Sequence, residues 1–139
     1  MPDFTKPLPR PEHEELTRPF WEAAKRHELV IPRCRICNRY FWYPREVCPH
    51  CLRIDWEWTG VSGRGRLHTF TVVRQPLNPA FADDVPYAYA IVQLEEGVRL
   101  ISNIVDCAIP DDLAVDMPVE AAYDDVSDDW TLVKFRPTS

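Results

Sequence analysis

No stretch of this 139-residue chain approaches the apolar length needed to cross a bilayer, so the sequence predicts a soluble protein without a transmembrane or anchoring segment. Its start lacks the apolar core of a secretory signal, since residues 1–16, MPDFTKPLPRPEHEEL, are polar and proline-rich. A cytoplasmic, reducing location is the expectation, and in such a compartment disulfides are a poor use for cysteine. A local catalytic grouping is also missing. His13, His27, His50 and His68 fall in an arm, a helix, a knuckle and a strand, with no arrangement that pairs a base with a Ser or Cys nucleophile. The glycines of Gly60-Val61-Ser62-Gly63-Arg64-Gly65 resemble a phosphate loop only superficially, because no helix N-terminus follows to face an anion. The chain is therefore not expected to be an enzyme by itself.

What is present is a doubled C-x-x-C. Cys34 and Cys37, then ten residues, then Cys48 and Cys51 can bring four thiolates to one tetrahedral ion through two tight knuckles. Two disulfides or a thioredoxin-like redox pair are the alternatives. The redox motif is single and sits near a βαβ pattern, which is absent here. Four sulfurs fill the shell of a zinc ion and leave no site for water or substrate, so zinc is expected as a structural cofactor. His50, inside the second pair, reads as a solvated knuckle residue, and Cys107 as a small buried side chain.

The net charge of −6 conceals an asymmetry. Residues 1–59 hold ten Lys or Arg against nine Asp or Glu, and residues 60–139 hold six against thirteen, giving +1 and −7. Arg33, Arg35, Arg39, Arg45 and Arg53 surround a centre whose zinc and thiolates sum to about −2. They either balance that charge or form an anion-binding patch.

Fourteen prolines, four of them within the first eleven residues, predict an extended N-terminal arm. Residues 17–29, TRPFWEAAKRHEL, read as a short helix capped by Thr17, with Phe20, Ala23, Ala24 and His27 on one face. Residues 1–29 thus form the arm and helix, 30–59 the ribbon and 60–139 a third unit. Within the ribbon, Tyr40-Phe41-Trp42-Tyr43 cannot all point inward, because successive strand residues alternate sides. They pack on the helix or the next unit, or they face a partner.

From Trp56 onward, six short β-branched and aromatic runs are separated by Gly, Pro and Asp clusters, with no helical pattern between them. The first ends the ribbon, and the other five predict a small antiparallel barrel of OB type in a mainly β fold. Glu95-Glu96-Gly97 reads as a hairpin turn, and Gly63 and Gly65 as a bulge or sharp barrel bend. The longer connections 75–86, with Phe81, and 107–117 are candidate binding loops.

A ribbon followed by an OB barrel suggests nucleic-acid binding, but a barrel balance of −7 repels phosphates, so no nucleic-acid partner is expected. The whole chain instead resembles an acyl-CoA-associated family built from a short helix, a rubredoxin-like zinc ribbon and an OB-fold domain in that order. The resemblance covers roughly residues 15–136 and rests on the joint, ordered occurrence of FWEAAKRHELVIPRC, YPREVCPHC, GRGRLHTFTVV, PYAYAIVQLEEGVRL and MPVE with the cysteine pairs. It implies a metal role for Cys34, Cys37, Cys48 and Cys51. It further implies a noncatalytic accessory subunit of a thiolase-superfamily enzyme, a thiolase or a lipid-transfer-protein-like aldolase acting on CoA thioesters of acyl chains or steroid side chains. No motif carries a CoA contact, and a free-standing acyl-CoA or nucleic-acid binding module is the alternative. Asn38 and Asp116 stand where the family commonly has glycine, and both residue types tolerate left-handed backbone. Phe41, Trp42, Tyr43 and Phe81 are the candidates for a partner surface.

Overall fold

A computed structural model describes residue 7 and residues 14–138 of the chain. The extended arm expected over the first residues lies largely outside the described residues. Helix α1 spans Glu14–Lys25, so Thr17 lies inside it and does not cap it. The helix closes with two backbone bonds, Glu28 N to Ala23 O at 2.9 Å and His27 N to Ala24 O at 2.9 Å, around His27 at φ 59°. This is a Schellman ending in which histidine occupies the left-handed position usual for glycine. Phe20, Ala23 and Ala24 are buried as their spacing predicts. His27, expected on the same face, falls past the helix end and is half exposed.

Strands β1 (Val30–Cys34) and β2 (Trp56–Gly60) pair antiparallel and flank the two knuckles. Five strands then close a barrel: β3 (Arg64–Val73), β4 (Tyr87–Leu94), β5 (Arg99–Ile104), β6 (Pro118–Asp125) and β7 (Thr131–Pro137). Their order around the barrel is β3-β4-β5-β7-β6, with β6 returning to β3 and a parallel contact between β5 and β7. The mainly β class and the OB-type barrel read from the sequence are both present. Alternation explains the interior: Ala88, Ala90, Val92 and Leu94 of β4 are buried, while the residues between them face outward.

One apolar cluster runs through all three parts of the chain. Phe20 of α1 and Leu29 and Ile31 at the ribbon join Leu67, Val92, Ile104, Val119 and Phe135 of the barrel. The ribbon's own cluster is only Cys34, Phe41 and Cys48, too small to hold a fold without the metal site and the barrel.

The hairpin turn forms as expected, with Gly97 at φ 99° and its amide 2.8 Å from the Leu94 carbonyl. The bulge does not fall at Gly63 or Gly65. The register shifts between Leu67 and Thr69, at His68. Gly65 instead permits close strand approach, since a Cβ there would lie 2.3 Å from the Gln93 carbonyl oxygen. In connection 75–86 a single 3-10 turn, Pro79–Phe81, is capped by Asn78, whose Oδ1 accepts from the Ala80 amide at 2.9 Å.

Candidate metal centre and partner surface

The two knuckles repeat one geometry. The Asn38 amide donates to the Cys34 carbonyl at 3.0 Å and the Cys34 amide to Arg39 O at 2.9 Å. In the second knuckle Leu52 N donates to Cys48 O at 2.9 Å and Cys48 N to Arg53 O at 2.8 Å. Asn38 and Leu52, the residues after each pair, have φ of 61° and 63°, so both turns form without glycine. Asp116 likewise takes φ 74°.

These turns bring the Sγ atoms of Cys34, Cys37, Cys48 and Cys51 within 4.8 Å of one another. Cys34 and Cys51 stand 3.5 Å apart and Cys37 and Cys48 3.7 Å, far beyond disulfide bonding. A tetrahedron of sulfurs about 2.3 Å from a central zinc has edges of about 3.8 Å, which these separations fit. The four cysteines are positioned to bind one metal ion.

Backbone amides, burial and neighbouring thiols shift two of the four groups in opposite directions. Cys34 is drawn down to about 7, chiefly because the Cys37 amide hydrogen-bonds its sulfur. At Cys51 the Arg53 amide pulls downward, but burial and the three neighbouring thiols outweigh it and push the group up to about 11. Four thiolates at this spacing need a central cation. His50 is no ligand, since its ring Nε2 meets the Tyr40 carbonyl at 3.3 Å. Among the ribbon arginines, Arg35 pairs with Asp55 and Glu57 at 2.9 Å each, and Arg33 lies over the Tyr40 ring. Cys107 is partly buried against the barrel core, and burial raises its thiol.

The four aromatic candidates separate. Phe41 is only 3 % exposed, edge-on to Trp56 beside the cysteines, so it has no surface to offer and its assignment to the partner surface is corrected. Trp42 is half-buried against Phe20, with ring centroids 5.2 Å apart, and Tyr43 beside it is 54 % exposed. Phe81 lies partly buried in its 3-10 turn and does not join them. Trp42 and Tyr43 line an apolar groove of 390 Å³ together with Phe20 and Trp21 of α1 and Ile101 and Val133 of the barrel. Trp21 and Ile101 went unnoticed in the sequence. Ile101, like Tyr89 on the neighbouring strand, is an apolar residue at an outward strand position, about half exposed. That signal becomes readable only once each strand's inner face is known.

A four-cysteine ribbon set on a closed five-stranded barrel defines a ribbon and OB-fold protein. The chain belongs to the ChsH2 (DUF35) family. Residues 21–57 match "ChsH2, rubredoxin-like zinc ribbon domain" and residues 58–124 match "ChsH2, C-terminal OB-fold domain". It is 35% identical over 115 residues to a DUF35 domain-containing scaffold protein of Methanocaldococcus jannaschii, covering 82% of this chain and 80% of that one. It is 40% identical over 119 residues to a probable enoyl-CoA hydratase alpha subunit of Thermomonospora curvata, covering 85% of this chain and 36% of that relative. The chain thus spans little more than a third of that protein's length. Among solved structures, "Ltp2-ChsH2(DUF35) aldolase" superposes with a TM-score of 0.82 at 38% identity, over 92% of this chain and 98% of that chain.

Proposed function

We propose that this chain is a noncatalytic accessory subunit, a zinc-stapled scaffold that docks on a thiolase-superfamily enzyme acting on acyl-CoA thioesters. The partner on this reading is a thiolase or a lipid-transfer-protein-like aldolase, and its substrates carry fatty acyl or steroid side chains. The likeness to the Ltp2-ChsH2(DUF35) aldolase chain, nearly end to end in both, is the observation that carries it. The apolar groove beside Tyr43 supplies a surface whose burial a partner would favour. Zinc at Cys34, Cys37, Cys48 and Cys51 supports the fold and takes no part in the chemistry.

The test is coexpression with the thiolase-superfamily enzyme encoded beside this chain, followed by size-exclusion chromatography and a CoA-thioester assay. A stable complex, more active than the enzyme alone, is expected. Separate elution together with full activity of the isolated enzyme would refute the reading.

A free-standing acyl-CoA binding module is the second reading. Arg39, Arg45 and Arg99 line one 690 Å³ concavity between the first knuckle and the β4–β5 turn, with no carboxylate partner among the described residues. That suits phosphates. The same concavity holds Glu96, whose buried Oε1 lacks a hydrogen-bond partner and opposes an anion, so this reading ranks second. Calorimetric titration with CoA at two salt concentrations separates it from the first.

A further inference from the structure

The tip of the ribbon carries aliphatic side chains that neither α1 nor the barrel covers. Leu52 and Ile54 are 76 % and 78 % exposed, and Ile36 and Val47 are exposed as well. Main-chain bonds gather the segments that bear them. The Cys48 amide donates to the Arg53 carbonyl at 2.8 Å, which brings the segment of Val47 to that of Leu52 and Ile54. The Arg35 amide donates to the Asp55 carbonyl at 2.9 Å, which brings the segment of Ile36 to that of Ile54. Ile36, Val47 and Leu52 each adjoin a cysteine of the metal site, so the two knuckles fix their positions.

Leu52 is unfavourable on two counts. It ends the second knuckle at φ 63°, a left-handed backbone that strains a bulky side chain, and it leaves that apolar side chain in water. Its counterpart in the first knuckle is Asn38, at φ 61°, a residue type whose short polar side chain tolerates the same conformation. The turn therefore folds with asparagine, and leucine adds nothing to it. A strained and exposed residue at a position where the fold does not require it points to a contact made outside the chain.

The charges of the tip narrow what makes that contact. Arg53, between Leu52 and Ile54, and Arg45, two residues before Val47, form no ion pair among the described residues, whereas Asp55 and Glu57 are both held by Arg35 at 2.9 Å. Glu46 is the remaining acidic group of this segment. An acidic counter-surface satisfies the two arginines. A second copy of the chain does not, since a twofold contact at the tip would set Arg53 against its own equivalent. An anionic bilayer fits poorly too, because lipid surfaces are held by clusters of roughly four to eight basic residues and this chain carries a net charge of −6. We infer that the ribbon tip is a docking knob for the partner enzyme, with Leu52 and Ile54 inserting into an apolar socket whose rim carries carboxylates opposite Arg45 and Arg53. The identity of the partner rests on the accessory-subunit reading. The strain and exposure of Leu52 do not.

Calorimetric titration of the neighbouring thiolase-superfamily enzyme with the zinc-loaded full chain tests the inference. Leu52→Asn copies the first knuckle, so it should keep the zinc content, match or raise the melting temperature and weaken association by about tenfold or more. A residue that served only the fold would not lose binding while keeping its melting temperature. Ile54→Ser should weaken association similarly, and should Leu52→Asn lose its zinc, this variant decides. Arg53→Glu should weaken binding more at low salt than at high salt, since it sets a carboxylate against the acidic rim. If wild type binds and Leu52→Asn and Ile54→Ser bind as tightly, the knob is overturned and the accessory reading is spared. A wild-type chain that binds no enzyme refutes the accessory reading and, with it, this assignment of the tip. Cosedimentation of wild type, but not of Leu52→Asn, with phosphatidylserine vesicles at physiological salt would assign the tip to a membrane surface and overturn the enzyme socket.

Discussion

Nε2 of His27 lies 3.0 Å from Oδ2 and 3.1 Å from Oδ1 of Asp125, joining the end of the N-terminal helix to the end of β6 across 98 residues of sequence. The imidazole also stacks on Tyr123, with ring centroids 5.0 Å apart and planes 11° from parallel. His27 reaches both partners because it occupies the left-handed residue that ends α1, which swings its side chain out of the helix line and over the barrel. The pair is half exposed, so it orients the helix more than it stabilises the protein.

Backbone strain and side-chain contact therefore oppose each other at this residue. His27→Ala should destabilise by about 1 kcal/mol, because alanine keeps the left-handed penalty and loses the stack. His27→Gly should be close to neutral, since glycine removes the penalty as the contact is lost. Urea midpoints of the two variants check the ordering, and equal losses would contradict it.

Asp125 gives a pH dependence of defined sign. The Thr131 hydroxyl and then His27 hydrogen-bond its carboxylate and hold it below the ordinary 3.8. A depressed folded-state value means that the stabilisation is fully present above the unfolded value and is lost as pH falls through the folded one. The gap in urea midpoint between wild type and Thr131→Val should therefore be constant near neutrality and close as pH drops below about 3.8. A gap that widens on acidification would reverse the assignment.

Metal removal should act on the whole molecule. Purified protein is expected to carry one zinc per chain by elemental analysis, and chelation or Cys48→Ser should lower the melting temperature sharply. Structural zinc is worth on the order of 10 kcal/mol in small modules, and the ribbon's own cluster is only three buried residues. A metal-free sample with unchanged melting would refute a structural role.

Aromatic substitutions should divide into two classes. Phe41→Ala should cost about 3–5 kcal/mol of stability, because the ring is buried beside the cysteines. Tyr43→Ala should leave the melting temperature nearly unchanged and weaken enzyme binding by about 2 kcal/mol if the ring anchors the interface. Thermal melts paired with titration calorimetry distinguish the two.

Gly65→Ala should destabilise by about 1–3 kcal/mol, since the added Cβ would sit 2.3 Å from the Gln93 carbonyl and push β3 off β4. Gly97→Ala meets no neighbour and is strained only by its φ of 99°, so the smaller loss is expected there. Denaturation curves rank the pair.

Much of this protein is determined locally and was legible in its sequence. The cysteine spacing defines the metal site because each knuckle is a short turn whose hydrogen bonds lie within a few residues. The strands follow from alternation and from the residues that break it, and Asn38 and Asp116 could replace glycine because their short polar side chains tolerate left-handed backbone. Tertiary structure decided the rest. Which of four consecutive aromatics is buried depends on how the ribbon lies against α1 and the barrel, and Phe41 and Tyr43 differ only in that packing. Thr17 gave a cap signal, but the helix spans Glu14–Lys25 and Thr17 lies inside it. The pairing of β5 with β7 has no local sequence signature, because it depends on a strand that arrives some thirty residues later in the chain.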